Sequence, residues 1–452
     1  MRQPTRSPAA ARRPYRAGSG RRPRALGGVR GAGLVLGLLA TAGPGLAACG
    51  SGGGSSTSTA SATVTTSTPA SPTGTASPTG SPSPTSPGTT APPPPTTGTA
   101  KPASCVDRAV AGMSQAQQVG QLFMTAVGST GVTSAQSAAI TGGQVGSVFL
   151  KGHTNSGAAT VKHVTDQVAR LAPKVKGATV KMLVSTDQEG GQVQVLNGPG
   201  FSAIPAALQQ GKLATGTLQS DARTWGGQLR SAGVTMNLAP VADTVPPNLV
   251  NVNAPIGKLQ REYGTNPTTA ATHSTAFLRG MLQAGVLTSA KHFPGLGRVT
   301  GNTDFSAGVT DDVTTRHDAF LEPFRSAVAA GTPFVMVSSA IYAKIDPNNQ
   351  AAFSSTIIRG MLRGDLGFKG AVISDDLGAA VAVSDRTPAE RAVDFFKAGG
   401  NLLLTVVPAD ISPMTRAVLT QMPKDAALRN AVSDSVKRVL AAKQKVGLLS
   451  CG

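Results

Sequence analysis

From Cys105 to the end of the chain, short apolar runs alternate with stretches whose apolar residues recur at helical spacing. This is the pattern of repeated strand-and-helix units feeding a parallel sheet. The runs Gln121 to Val127, Gly146 to Leu150, Met182 to Ser185, Thr235 to Pro240, Val286 to Ala290, Phe334 to Ser338, Ala371 to Ser374 and Leu402 to Val406 predict eight strands. Helices are predicted over Thr160 to Leu171, Leu218 to Ser231, Thr268 to Gln283, Asp318 to Ala329, Ser355 to Arg363 and Pro388 to Ala398, with a last one over about Asp425 to Lys445. Eight such units in residues 105–452 fit an α/β fold of the (β/α)8, TIM-barrel type, and a doubly wound open sheet is the alternative. The barrel is favoured because polar residues recur just after several different strands: Asp187 and Glu189, Asp243, Lys291 and His292, Asp375 and Asp376. A barrel gathers all its strand C-termini at one mouth, whereas an open sheet gathers only those near its switch point.

The pattern stops at Cys105. Between Gly50 and about Ser104 the residues are almost all Ser, Thr, Pro, Gly and Ala, with Lys101 the one charge. So little apolar surface cannot offset the cost of ordering a chain, and residues 49–104 are expected to be a disordered tether. Ahead of it an arginine-rich region to Arg30, an apolar segment from Gly31 to Leu46, and Leu46-Ala47-Ala48-Cys49 have the form of a bacterial lipoprotein signal, residues 1–48. Cys49 is the expected lipidation site, and two acyl chains suffice to hold a protein at a membrane. The expected location is extracytoplasmic, as a membrane-anchored lipoprotein carrying one folded domain, residues 105–452.

Composition changes this picture in two respects. The formal charge is +19, but residues 1–48 hold nine arginines and no acid, which leaves +10 for the rest. No dense Lys/Arg cluster remains there, so the residual charge reads as a solvated surface and no nucleic-acid partner is expected. Of the three cysteines, Cys49 is taken by lipid, and outside the cytoplasm Cys105 and Cys451 are expected to form a disulfide joining the two ends of the domain.

The chemistry-bearing stretches narrow the function by exclusion. Thr186-Asp187-Gln188-Glu189-Gly190-Gly191 lacks the spaced oxygen ligands of a calcium loop, and the five histidines lack zinc-ligand spacing, so no metal and no other cofactor is expected. Gly295-Leu296-Gly297 is too short for a dinucleotide fingerprint, and neither a serine nucleophile elbow nor a catalytic cysteine arrangement is present. What remains is carboxylates, a Lys-His pair and an arginine, a set suited to holding a polyhydroxylated substrate and breaking an acetal. In Gly370-Ala371-Val372-Ile373-Ser374-Asp375-Asp376, strand alternation points only one of the two acids into the mouth.

Taken together, Asp187-Gln188-Glu189-Gly190-Gly191, Ala239-Pro240-Val241-Ala242-Asp243, Lys291-His292-Phe293-Pro294-Gly295 and Ser374-Asp375-Asp376-Leu377 resemble family 3 glycoside hydrolases, in particular the single-domain bacterial β-N-acetylglucosaminidases. The resemblance implies a retaining, exo-acting enzyme of peptidoglycan turnover. Asp375 is its nucleophile, and Asp187, Arg261, Lys291 and His292 bind the terminal sugar. It implies a carbohydrate partner from the cell wall, and the protein is expected to act as a monomer, although self-association is not shown by the sequence.

The chain departs from the family pattern in the loop after Lys291-His292-Phe293-Pro294-Gly295. Where the family ends this loop in Asp-Ser/Thr-His, with the histidine as acid/base, the chain reads Asn302-Thr303-Asp304, and no histidine lies between His292 and His317. Asp304 is the candidate replacement, on condition that desolvation keeps its proton near neutral pH. Val195 and Gln192 stand where the family carries arginines. These departures leave two alternatives open: a catalytically silent sugar-binding lipoprotein, and a family 3 β-glucosidase.

Overall fold

The structure, a computed structural model, describes residues 103–452 of the chain. Cys49, the leader and most of the Ser/Thr/Pro-rich stretch lie outside the described residues. Eight parallel strands close into a barrel: β1 (Phe123–Gly128), β2 (Ser147–Lys151), β3 (Leu183–Thr186), β4 (Met236–Asn237), β5 (Leu287–Phe293), β6 (Phe334–Val337), β7 (Ala371–Asp376) and β8 (Leu402–Thr405). Neighbours in the chain are neighbours in the barrel. It closes where Phe123, Met124 and Thr125 of β1 pair with Leu403, Leu404 and Thr405 of β8. Every strand is one of the predicted runs, and closure rules out the open-sheet alternative.

One helix follows each strand: α1 (Ser134–Gly142), α2 (Gly157–Ala169), α3 (Thr215–Ser231), α4 (Pro267–Gln283), α5 (Glu322–Ala329), α6 (Thr356–Asp365), α7 (Pro388–Ala398) and α8 (Ile411–Gln421), with α9 (Ala426–Lys445) closing the chain. The stretch predicted as a single helix from Asp318 divides. A 3-10 turn, Ala319–Leu321, precedes α5, because Pro323 has no N–H to donate and fits only in a helix's first turn. Helix α6 is wound more widely than an α-helix, as a π-helix. The periodicity did not reveal α1, α8, the short helix Ala207–Gln210 ahead of α3, or two short helices before β1, Cys105–Gly112 and Gln115–Gly120. The signals for two of them were present. Ser114 with Gln117 and Thr133 with Gln136 form capping boxes, each satisfying two otherwise free amides.

The end of the barrel from which the strands enter is stapled shut. Leu449–Ser450 pairs with Thr179–Val180, just ahead of β3, and Cys451 is bonded to Cys105 with the Cα atoms 5.7 Å apart. Lys443 of α9 is fully buried and donates to Gln121 Oε1 (2.7 Å), Gly146 O (2.8 Å) and Lys181 O (3.1 Å). Those three acceptors immediately precede β1, β2 and β3, so one ammonium holds three strand entries together. At the opposite end, the segments Thr310–Asp311, Ile341–Tyr342 and Asp346–Gln350 form a small sheet that ties the loop after β5 to the loop after β6.

Candidate active site

A cleft of about 390 Å³ opens at the strands' C-terminal ends, and Asp187, Arg261, Lys291, His292, Asp304 and Asp375 all line it. Residues far apart in the chain meet here because each follows or ends a strand of the same barrel.

The cleft floor is a network of paired charges. The Lys291 ammonium, held on β5, lies 2.7 Å from Asp187 Oδ1 and 2.6 Å from Glu189 Oε1. Arg261, in the loop after β4, takes the same Glu189 in a two-point fork, Nε to Oε2 at 2.8 Å and Nη2 to Oε1 at 2.7 Å, and its Nη1 donates to Pro255 O at 2.8 Å. Burial alone would raise the pKa of Glu189, but the positive charges of Arg261 and Lys291 override it and hold the carboxyl down to about 2. For Lys291, burial works against the charge and is outweighed by Asp187 and Glu189, so the ammonium is held above its ordinary value. Glu189, Arg261 and Lys291 therefore keep their charges, and these ion pairs fix the floor's donors and acceptors before a ligand arrives.

His292 stands beside this network and is aimed by Asp243. Its Nδ1 is 2.7 Å from Asp243 Oδ2, while Asp243 Oδ1 accepts the backbone amides of His292 (3.1 Å) and Leu296 (2.8 Å). With Nδ1 committed to a buried carboxylate, Nε2 is the ring nitrogen left for a ligand.

The two acids that end β7 both line the cleft, so alternation does not remove Asp376 from the mouth as expected, and what separates them is their hydrogen bonding. Asp376 is captured by backbone amides: its Oδ1 accepts from Gly378 (2.8 Å) and Val406 (2.9 Å), and its Oδ2 from Ala379 (3.0 Å). Those bonds fix the turn after β7 against the end of β8. Asp375 accepts its neighbour's amide at 2.9 Å and, among the described residues, no other hydrogen bond. Its carboxylate faces the cleft available for reaction.

The rim is built differently. The turn after β5 packs Gly297 against the Thr244 carbonyl with no room for a Cβ, and Gly295 adopts φ 135°, a conformation that favours glycine. Tyr342 donates to Gly295 O (2.9 Å), and the Asn253 amide donates to Leu296 O (2.8 Å) and Val299 O (2.6 Å). Beyond this clamp the Asn302 side chain accepts the Asp304 amide at 2.9 Å, so Asn302 forms the turn. The amides of Val381 and Ala382, in the loop after β7, donate to the carbonyls of Asp304 (3.2 Å) and Thr303 (3.0 Å). Asp304 is thus held over the cleft by its backbone while its outer side stays open to solvent. Loss of hydration between the cleft walls, then the negative charge of Asp375, pushes its carboxyl up to about 6; Asp376 adds to this, and His292 and Arg261 oppose it.

Two supports of the site carried no assigned role in the sequence reading. Glu189 joins the two cations, and Asp243 orients His292; the available signal was that both acids follow a strand. The departures at Val195 and Gln192 fall outside the cleft, whose lining includes neither of them.

Comparison with known proteins gives a consistent result. The profile of the glycosyl hydrolase family 3 N-terminal domain matches residues 115–442. The beta-hexosaminidase of Stenotrophomonas maltophilia K279a is 32% identical over 273 residues, 58% of this chain and 78% of that protein. The corresponding protein of Xanthomonas campestris pv. campestris B100 is 31% identical over 273 residues, 58% of this chain and 79% of that protein. Among solved structures, the beta-N-acetylhexosaminidase of Beutenbergia cavernae is similar with a TM-score of 0.72 at 46% identity, over 74% of this chain and 99% of that one. A family 3 beta-N-acetylglucosaminidase from Paenibacillus sp. has a TM-score of 0.65 at 28% identity, over 74% of this chain and 63% of that one.

Proposed function

The chain belongs to glycosyl hydrolase family 3, and from that premise we propose that it is a retaining, exo-acting β-N-acetylhexosaminidase that removes terminal N-acetylglucosamine from wall-derived sugars. The observation that carries the reading is the pairing, over one cation-lined cleft, of a free carboxylate, Asp375, with a second acid, Asp304, whose carboxyl is pushed up to about 6. Glycoside hydrolysis by double displacement needs those two groups in those two states. The acetylated sugar is taken from the names of the relatives, and beta-hexosaminidases recur among them.

In the proposed reaction Asp187, Arg261, Lys291 and His292 hold the hydroxyls of the terminal sugar. Asp375 attacks the anomeric carbon as Asp304 gives its proton to the glycosidic oxygen. The bond to the leaving group breaks, and a glycosyl ester forms on Asp375. Asp304, now a carboxylate, takes a proton from water, whose oxygen attacks the anomeric carbon and releases Asp375 and the sugar. Atoms and charge balance with water as the only co-substrate. A carboxylic acid with a pKa near 6 can carry out the same two proton transfers as the histidine that the loop lacks.

The test is incubation with a slow 2-fluoro or 5-fluoro glycoside followed by peptide mapping. Label on Asp375 is expected, and label on any other residue overturns the assignment. Side-by-side turnover of aryl N-acetylglucosaminide and aryl glucoside decides the sugar; faster cleavage of the glucoside selects the β-glucosidase alternative, and binding without turnover of either selects the silent sugar-binder. The proposed site of action is outside the membrane. It rests on the leader and Cys49, and release of the protein from membranes by Cys49→Ala is the expected result.

A further inference from the structure

Four large hydrophobic side chains are exposed among the described residues, Val252, Phe305, Val313 and Val381, and all four sit on loops that follow barrel strands, on the side of the mouth. Phe305 is the most exposed of them at 79%, and it also lines the cleft. It is the residue after Asp304. Val381, exposed at 38%, is joined to the same spot by its amide, which donates to the Asp304 carbonyl at 3.2 Å. The acid is thus followed directly by an aromatic side chain that the protein leaves in water on the wall of the cleft, where a ligand in the cleft can meet it.

The position of the acid says which part of a ligand that is. A general acid must reach the oxygen of the bond that breaks, within hydrogen-bond distance. The charged floor, Asp187, Glu189, Arg261 and Lys291, takes the sugar on one side of that oxygen. The group on the other side must then lie against whatever flanks the acid at the rim. We propose that Phe305 is the platform for the leaving-side residue of the substrate and that this residue is a second pyranose, whose C–H face lies on the Phe305 ring. A charged or purely polar leaving group gains nothing from such a surface, whereas a β-linked pyranose offers an apolar face of matching size. The inference rests on Asp304 being the acid and adds a binding position that Asp304 alone does not imply.

The experiment compares a β-linked disaccharide, N,N′-diacetylchitobiose, with the methyl glycoside of the same sugar, which has no leaving-side ring. Phe305→Ala is expected to lower kcat/KM on the disaccharide by about tenfold, the effect of one lost apolar contact, and to change the methyl glycoside less than about twofold. Phe305→Trp should keep the disaccharide activity. Because the side chain is exposed, its removal does not open a cavity in the core. An equal loss on both substrates, or no loss on the disaccharide, overturns the proposal. The readout is a ratio within one sugar series, so a preference for glucose moves the comparison to cellobiose and methyl β-glucoside and leaves the ratio intact. The identity of the acid is judged separately, by the leaving-group dependence of Asp304→Ala.

Discussion

Two lysines are buried at opposite ends of this barrel, and they are treated in opposite ways. Lys443, at the closed end, has only neutral oxygens around its ammonium, and burial pushes its pKa down to about 7. Lys291, at the mouth, is as deeply enclosed but lies between Asp187 and Glu189, and its pKa is raised. Burial is common to both, so the difference comes from the carboxylates. At the closed end the protein needs a donor that ties three strand entries together, and carbonyls suffice. At the mouth it needs a fixed charge that survives in a nearly dry site, which only counter-charges provide. Function is concentrated at the end where charges are paired, yet the acids that would act on the substrate, Asp375 and Asp304, form no ion pair among the described residues.

That contrast can be broken at several points. The largest effect is expected at Asp375. Asp375→Ala should leave only residual turnover while sugar binding persists, because the floor is untouched; retention of substantial activity in a steady-state assay would remove it from the mechanism. Asp304→Asn comes next. It should slow glycosides with poor leaving groups by roughly 10²–10⁴-fold and those with good leaving groups far less, the signature of a lost general acid. The protonated form is the active one and the folded pKa is raised to about 6, so wild-type activity should fall as pH rises through about 6. In Asp304→Asn that descending limb should vanish.

Glu189→Gln tests the mouth's counter-charge. It strands Arg261 and Lys291 with half their compensation, and breaking a buried pair of this kind costs roughly 3–5 kcal/mol, read as a lower unfolding midpoint together with a raised KM. The smallest effect, and the one that bears on the closed end, is expected from Lys443→Met. The folded pKa of Lys443 lies at about 7, below the ordinary 10.5, so the unfolded chain binds more protons between those values. Stability of the wild type should rise with pH across that window and flatten below it. In Lys443→Met the rise should be absent, as followed by denaturant titration at several pH values.

Much of this molecule was legible before folding. The eight strands follow from runs of apolar residues, and the barrel follows from polar residues recurring after them, since both are local patterns. The hidden helices show the limit of periodicity. Ile411–Gln421 carries Pro413 in its first turn, which reads as a break although proline is tolerated there, and Ser134–Gly142 has a single buried residue, Ile140, to mark its inner face. At the site, the residue types and their strand-end positions could be read directly, including the presence of Asp304 where a histidine was expected.

What the chain could not state by itself was partnership. Alternation says that Asp375 and Asp376 face apart, but which one is immobilised depends on the amide of Val406 arriving from β8. Glu189 meets Arg261 across 72 residues, Asp243 meets His292 across 49, and the Asp304 backbone is held by Val381 from a different loop. Local sequence determines strand, turn and side-chain chemistry because these rest on neighbouring residues. Charge state, orientation and the presence of an uncovered aromatic beside the acid rest on what closure of the barrel brings alongside, and only the tertiary structure decides that.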